Sequence, residues 1–213
     1  MYHLFTILVK PKYNINYVKA IHNSFEKYVS LPFKHTCLTD DIKPFENENF
    51  CDVIDIGCYN LPTFWNKMLF FKPNAICKNN EKCIFFDLDS VILRDVKPIL
   101  NYVDNKIIIG QNPSKINPSY VTGAINSTGH GRHLTIVNSS CMMWIGGQHD
   151  KLWDIFNLRP EEHMIRYYGN DEFITFEYPT GYCLIDKRFI FSKGSESTSI
   201  YKNKMSAFEM LNL

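Results

Sequence analysis

The sequence predicts an α/β fold, a parallel sheet with helices on its faces. Three observations carry that prediction. Apolar runs alternate with helical periodicities through the first half of the chain, in the order strand, helix, strand, strand, helix, strand, helix, strand. The run Cys83-Ile84-Phe85-Phe86 is apolar without a gap, which suits a strand buried on both faces. Two carboxylates, Asp87 and Asp89, follow it at once, at the end of a strand where open α/β sheets bind ligands.

Leu4 to Val9 reads as the first strand, with a polar loop from Lys10 to Asn16 behind it. Tyr17, Val18, Ile21, Phe25, Tyr28 and Val29 recur at helical spacing, so 16–30 is an amphipathic helix with Asn16 as N-cap. Phe33 to Leu38 and Asp52 to Ile56 are the next strands. Thr63 caps a helix carrying Phe64, Trp65, Met68, Leu69 and Phe71, which Pro73 ends. After the strand leading to Asp87, a short helix over Pro98 to Tyr102 precedes a strand at 106–109. Residues 111–134 break the pattern with a long polar loop rich in Asn, Pro, Ser and Gly. It reads as a lid over a ligand or, equally, as a solvated surface loop. Beyond it, Met142 to Ile145 is a buried strand. Asp150 caps a helix with Leu152, Trp153 and Phe156, Asn170 caps another over 171–178, and Cys183 to Ile185 is the last strand. A C-terminal tail, 192–213, is polar at first and helical at its end. There is no internal repeat, so 1–213 is read as one domain.

Composition sets the bounds. The chain is 45% hydrophobic and 15% aromatic, which marks it as globular. A net charge of +1 gives no basis for nucleic-acid binding by counterion release. Seven scattered cysteines show no C-x-x-C spacing and form neither a disulfide framework nor a zinc knuckle. The opening apolar run is cut off by Lys10-Pro11-Lys12, too early for a secretion signal, and no stretch approaches the ~20 apolar residues of a membrane span. The expected protein is cytoplasmic and reduced, with no transmembrane segment and no nucleic-acid partner.

The chemistry centres on Asp87 and Asp89. In extended backbone, residues i and i+2 point to the same side, so the two carboxylates project together. Like charges so close repel unless a cation neutralises them, and a hard divalent ion, Mn²⁺ or Mg²⁺, is the natural partner. The plain alternative is a pair of solvated acids at a strand–loop junction.

The segment Phe85-Phe86-Asp87-Leu88-Asp89-Ser90-Val91-Ile92-Leu93 resembles the D-x-D stretch of GT-A-fold glycosyltransferases, especially the glycogenin- and lipopolysaccharide-galactosyltransferase-like group. Thr63-Phe-Trp-Asn-Lys67-Met-Leu is similar to the helix before that stretch, with Lys67 in the place of a basic residue that faces the nucleotide diphosphate. Val137-Asn138-Ser139-Ser140-Cys141-Met142-Met143 is similar to the family's Asn-Ser-Gly-hydrophobic strand along the donor sugar, although Ser140 stands where Gly is common. Gly169-Asn170-Asp171-Glu172 is similar to a later acidic element that faces the sugar.

The resemblance implies a GT-A-like (Rossmann-like) mixed, mainly parallel sheet. It implies a metal-dependent enzyme that moves a sugar from a nucleotide-sugar donor, by resemblance a UDP-sugar, to a hydroxyl of a glycan or other acceptor. Asp87 and Asp89 would hold Mn²⁺ or Mg²⁺, with Leu88 between them in the donor site. Lys67 would assist the diphosphate. Asn138 and Ser140 would line the sugar. Thr6, Leu8, Lys10 and Tyr13, on the first strand and its loop, would take the base. Asp171 and Glu172 would be catalytic, although acids in a first helical turn also favour the helix dipole. Relatives often add a third metal ligand, a late histidine. Here the last histidine is His163, leaving His130 and His133 in the long loop, or Asp186, Glu196 and Asn203, as substitutes.

Two other readings use the same residues. Asp87-x-Asp89-x-Val91 also fits the D-x-D-x-[TV] pattern of haloacid-dehalogenase-like phosphatases, in which the first Asp is a nucleophile. That motif normally ends a first strand, and here several elements precede it. The third reading is a catalytically inactive nucleotide-sugar-binding module.

Overall fold

The computed structural model describes residues 1–100, 103–111, 135–186 and 189. Among the described residues seven strands form one sheet: β1 (Tyr2–Leu8), β2 (Phe33–Thr39), β3 (Asp52–Asp55), β4 (Lys82–Phe86), β5 (Ile107–Gln111), β6 (Val137–Ile145) and β7 (Tyr182–Leu184). Their spatial order is β3-β2-β1-β4-β6-β5-β7. All neighbours run parallel except β6, which is antiparallel to both β4 and β5. The sheet is therefore mixed and mainly parallel.

Alternation along the central strands loads both faces with apolar side chains. Phe5, Phe85, Met142 and Trp144 enter a core with Trp65, Met68, Phe156 and Phe173. Leu4, Ile84, Cys141 and Met143 enter a second core with Val18, Ile21 and Phe25 of helix α1 (Ile15–Tyr28). The first face is covered by a 3-10 helix (Thr63–Phe71) and by helices α3 (Asp150–Leu158) and α5 (Asn170–Glu177). The short α2 (Lys97–Leu100) feeds Ile99 and Leu100 to the other face.

Several expectations shift. The cap of α1 is Asn14, whose side chain accepts from the Asn16 amide; Asn16 itself lies inside the helix. The 63–71 segment is a 3-10 helix whose residues Trp65 to Phe71 are all buried, not an amphipathic α-helix. Thr63 does not cap it, because its backbone lies in the left-handed region (φ 38) instead of the extended one an N-cap needs. The caps of α3 and α5 are His149 and Gly169, one residue before the expected Asp150 and Asn170. At Gly169 a Cβ would meet the Phe64 ring at 2.9 Å, so any side chain there would need that ring to shift. One helix was not legible in the sequence, α4 (Pro160–Arg166). It buries no residue, so it has no apolar stripe; Pro160 at its first turn and Glu161 and Glu162 beside it are its signals. The strand expected at 142–145 begins earlier, at Val137. Most of the long loop (112–134), Tyr102 of the short helix and the tail at 192–213 lie outside the described residues.

Candidate active site

The carboxyl ends of β1, β2 and β4 lie along one edge of the sheet, because these strands are parallel. Being antiparallel, β6 brings its beginning to that edge, where the Asp87 amide donates to the Ser140 carbonyl at 2.8 Å. The start of α5 packs against this part of β6. Asp87, Lys67, Ser139 and Asp171 thus meet although far apart in sequence.

Lys67 is the centre of the cluster. Its side chain is only 8% exposed, and its ammonium lies 2.8 Å from Oδ1 and 3.0 Å from Oδ2 of Asp87. It also donates to the Ser139 carbonyl (3.2 Å) and hydroxyl (3.1 Å). A carboxylate, a carbonyl and a hydroxyl match the three N–H donors of an ammonium group. A buried lysine is tolerable only when paired and fully hydrogen-bonded, and here it is both. Asp171 reaches the same place from α5, accepting from the Ser139 amide at 2.9 Å. The Asn170 amide donates to the Ser139 hydroxyl at 2.9 Å, which is where its side chain goes instead of capping the helix.

The electrostatics follow from this crowding. Burial raises the Asp87 carboxyl above its ordinary pKa, the charges of Asp89 and Asp171 push it the same way, and Lys67 pulls it down. Asp89 is more exposed, on the far side of the pair. Burial works to raise its carboxyl, but a 2.7 Å hydrogen bond from the Tyr13 hydroxyl and the Lys12 ammonium at 3.5 Å outweigh that and hold it low.

The other expected residues are placed as follows. Tyr13 joins the site through Asp89. Lys10 is on the same loop but pairs with Asp41, and its amide bonds Asp40. Thr6 is fully buried with its hydroxyl on His35 Nε2 at 2.9 Å, and Leu8 and Leu88 are buried in the second core, so these three side chains point away from the mouth. The Asn138 side chain accepts from the Ser140 amide at 3.0 Å, shaping the start of β6. Glu172 is buried and turns to the Tyr168 amide at 2.8 Å, whereas Asp171 is the acid turned toward Asp87. His130 and His133 lie outside the described residues, as do Glu196 and Asn203. His163 is packed among Phe156, Tyr167 and Phe173, away from the acids.

Sequence reasoning missed Ser139. It favoured the neighbours Asn138 and Ser140. Strict alternation would send Ser139 to the face of Cys141 and Met143. A bulge where β5 pairs with β6, between Ile109 and Gly110, breaks the alternation and turns Ser139 toward Lys67. Gly110 permits it: a Cβ there would lie 2.6 Å from the Asn138 carbonyl. Lys12, the second partner of Asp89, was not singled out either.

The acids fit a divalent ion by their chemistry. Two hard carboxylates, one residue apart at a strand end, offer the oxygen donors that Mn²⁺ or Mg²⁺ accepts. Among the described residues no group of three His, Cys, Asp or Glu side chains could hold a metal.

No family model matches the chain, and no curated protein matches it. Solved structures do. The chain superposes on the galactosyltransferase LgtC, solved in complex with donor and acceptor sugar analogues, with a TM-score of 0.59 at 12% identity, over 96% of this chain and 80% of that one. The fold is GT-A-like. An active-site mutant of LgtC gives the same TM-score at 11% identity. The glycosyltransferase GlyE of Streptococcus pneumoniae TIGR4 matches with a TM-score of 0.53 at 16% identity, over 95% of this chain and 50% of GlyE. The chain thus spans about four fifths of LgtC and half of GlyE. In this GT-A-like sheet the D-x-D pair ends the central strand β4, the fourth in the chain, and not the first strand as in the phosphatase pattern.

Proposed function

We propose that this chain is a metal-dependent glycosyltransferase that moves a hexosyl group from a nucleotide-sugar, a UDP-sugar, to an acceptor hydroxyl on a glycan or similar molecule. One observation carries the reading: a D-x-D pair at the end of the central strand of a GT-A-like sheet, with a buried lysine and a third carboxylate gathered beside it. Three acids, Asp87, Asp89 and Asp171, against two lysines, Lys67 and Lys12, leave net negative charge, a poor place for a diphosphate until a cation is bound.

Asp87 and Asp89 would hold Mn²⁺ or Mg²⁺, which would supply charge neutralisation for the departing diphosphate. The protein's own groups do the rest. Lys67 holds Asp87 in place and opposes the rise that burial gives its carboxyl, and adds a fixed positive charge where negative charge develops on the leaving oxygen. As the sugar–phosphate bond breaks, its electron pair leaves with the phosphate and the anomeric carbon becomes oxocarbenium-like. Asp171 stabilises that carbon or takes the proton of the attacking acceptor hydroxyl. The loop after β1 receives the base, with Tyr13, whose hydroxyl donates to Asp89, the aromatic surface it offers. Asn138 and Ser140, at the start of β6, lie along the sugar.

The test is a thermal-shift screen of nucleotides and nucleotide sugars with and without Mn²⁺, followed by turnover assays. We expect stabilisation by UDP or a UDP-sugar that depends on Mn²⁺, and donor hydrolysis or transfer that Asp89→Asn abolishes while its melting temperature stays near wild type. Full activity in that variant rejects the assignment. Turnover of p-nitrophenyl phosphate through an aspartyl-phosphate at Asp87 would favour the phosphatase instead.

A further inference from the structure

We propose that Ser139 is a positioning residue of this reaction, one that fixes Lys67 and Asp171 relative to each other. The inference rests on the sugar-transfer reading and assigns a role to a residue that the sequence reading left without one. Ser139 is 2% exposed, and every polar atom it has is committed to the site. Its amide donates to Asp171 Oδ1 at 2.9 Å. Its carbonyl accepts from Lys67 Nζ at 3.2 Å. Its hydroxyl oxygen accepts from Lys67 Nζ at 3.1 Å and from Asn170 Nδ2 at 2.9 Å, which uses both of its lone pairs. One residue of β6 thereby ties the 3-10 helix that carries Lys67 to the first turn of α5 that carries Asp171.

The arrangement is costly unless it serves a purpose. A lysine could satisfy its charge with Asp87 alone at the rim; here it is drawn inward and locked by a third acceptor. In that lock the ammonium spans both oxygens of Asp87, 2.8 Å from Oδ1 and 3.0 Å from Oδ2. Lys67 lies where the leaving group departs, and Asp171 lies where the sugar carbon or the acceptor is handled. An error of about 1 Å between two such groups costs roughly a hundredfold in rate while barely touching ground-state binding. The base and ribose would be held elsewhere, on the loop after β1, so loss of the hydroxyl should appear in kcat and not in donor affinity.

Ser139→Ala isolates the hydroxyl, because the amide and carbonyl contacts are backbone and survive. Steady-state kinetics with the UDP-sugar found to turn over, and calorimetry with UDP and Mn²⁺, are compared across wild type, Ser139→Ala, Ser139→Thr and Asn170→Ala. The expected result is a fall in kcat of about tenfold to a hundredfold in Ser139→Ala, the scale of losing a hydrogen bond to a charged group. Donor KM and UDP affinity should stay within about twofold. Ser139→Thr, which restores the hydroxyl, should recover most of the rate. Asn170→Ala removes the other hydrogen bond to the same hydroxyl but leaves that of Lys67, and should lower kcat less than Ser139→Ala does. If Ser139→Ala does not fold, Ser139→Cys, of the same shape but with a weak acceptor, carries the same expectation. The proposal is overturned if Ser139→Ala keeps the wild-type kcat, or if Asn170→Ala loses as much rate as Ser139→Ala with a matching fall in melting temperature, since the hydroxyl would then only hold α5. Absence of any transfer by wild type defeats the sugar-transfer reading and this proposal with it; an active wild type with an equally active Ser139→Ala defeats this proposal alone.

Discussion

At the scale of the residue, the site is decided by which acid looks at which partner. Asp171 and Glu172 are adjacent in sequence and both sit in the first turn of α5, but they do different jobs. Asp171 accepts from Ser139 on the side of Asp87, and its charge raises the Asp87 carboxyl. Glu172 is buried and reaches back to the Tyr168 amide, much as the acid of a capping box does. This separates their substitutions. Asp171→Asn keeps an oxygen for the Ser139 amide and removes only the charge. It should lower kcat by about a hundredfold or more, the range of a lost acid–base group, with UDP affinity close to wild type. Glu172→Gln should leave kcat nearly unchanged and cost about 1 kcal/mol of stability by weakening a buried hydrogen bond. Urea unfolding beside steady-state kinetics distinguishes the two. Equal loss of rate in both variants would mean that the helix start has been disturbed as a unit.

At the scale of the element, α1 is fastened to the sheet by apolar packing and by a histidine pair. His22 of α1 and His35 of β2 face each other through their Nδ1 atoms at 3.2 Å, and their rings stack. The other ring nitrogen of His35 meets the Thr6 hydroxyl. Burial pushes the His35 pKa down to about 3, and the charges of His22 and His3 would push it the same way. Burial also lowers His22, with Glu26 opposing. The sign follows directly. Above the unfolded pKa of about 6.5 both states are neutral and the stability is fully present. As pH falls below that value the unfolded chain takes up a proton that His35 in the fold refuses, so stability is lost between about pH 6.5 and 3, by up to about 1.4 kcal/mol per pH unit. The melting temperature should drop across that window. His35→Gln, which cannot titrate, should be less stable at neutral pH but have a flatter acid limb. An unchanged limb would place the acid sensitivity elsewhere, with His149, also pushed down by burial to about 4, the next candidate.

At the scale of the whole molecule, the proposed function gives two carboxylates among the described residues, Asp87 and Asp89, to an ion that takes about six oxygens. Water and donor phosphates would complete the shell. Asp87 is already paired with Lys67, and Asp89 with Tyr13 and Lys12, so an ion arriving alone competes with three protein donors for two acids. Mn²⁺ should therefore bind weakly to the free protein and much more tightly once UDP is present. Thermodynamic linkage then requires Mn²⁺ to tighten UDP by the same factor. Calorimetry with Mn²⁺ alone, UDP alone and the two together measures both legs. Tight Mn²⁺ binding in the absence of nucleotide would mean a further protein ligand.

Much of this was legible in the amino-acid sequence, for a physical reason. The strands, α1 and the D-x-D pair depend on neighbours in the chain: an apolar run long enough to cross the sheet, a period of 3.6, two acids two residues apart on extended backbone. Lys67 and the acids of α5 were marked by family resemblance, not by any local pattern. What the sequence left undecided depends on residues distant in the chain. It could not show that β6 runs against its neighbours, which brings Ser139 and not Ile145 to the edge where Asp87 ends β4. A period of two could not foresee the bulge that turns Ser139 toward Lys67, because the bulge is a property of pairing with β5 and of the space Gly110 leaves for the Asn138 carbonyl. Nor could it distinguish Asp171 from Glu172, since both suit a helix N-terminus equally until packing assigns one to Ser139 and the other to Tyr168. Local periodicity determined the elements; burial of a charged lysine, which demands partners from two other segments, the end of β4 and the start of β6, decided the site.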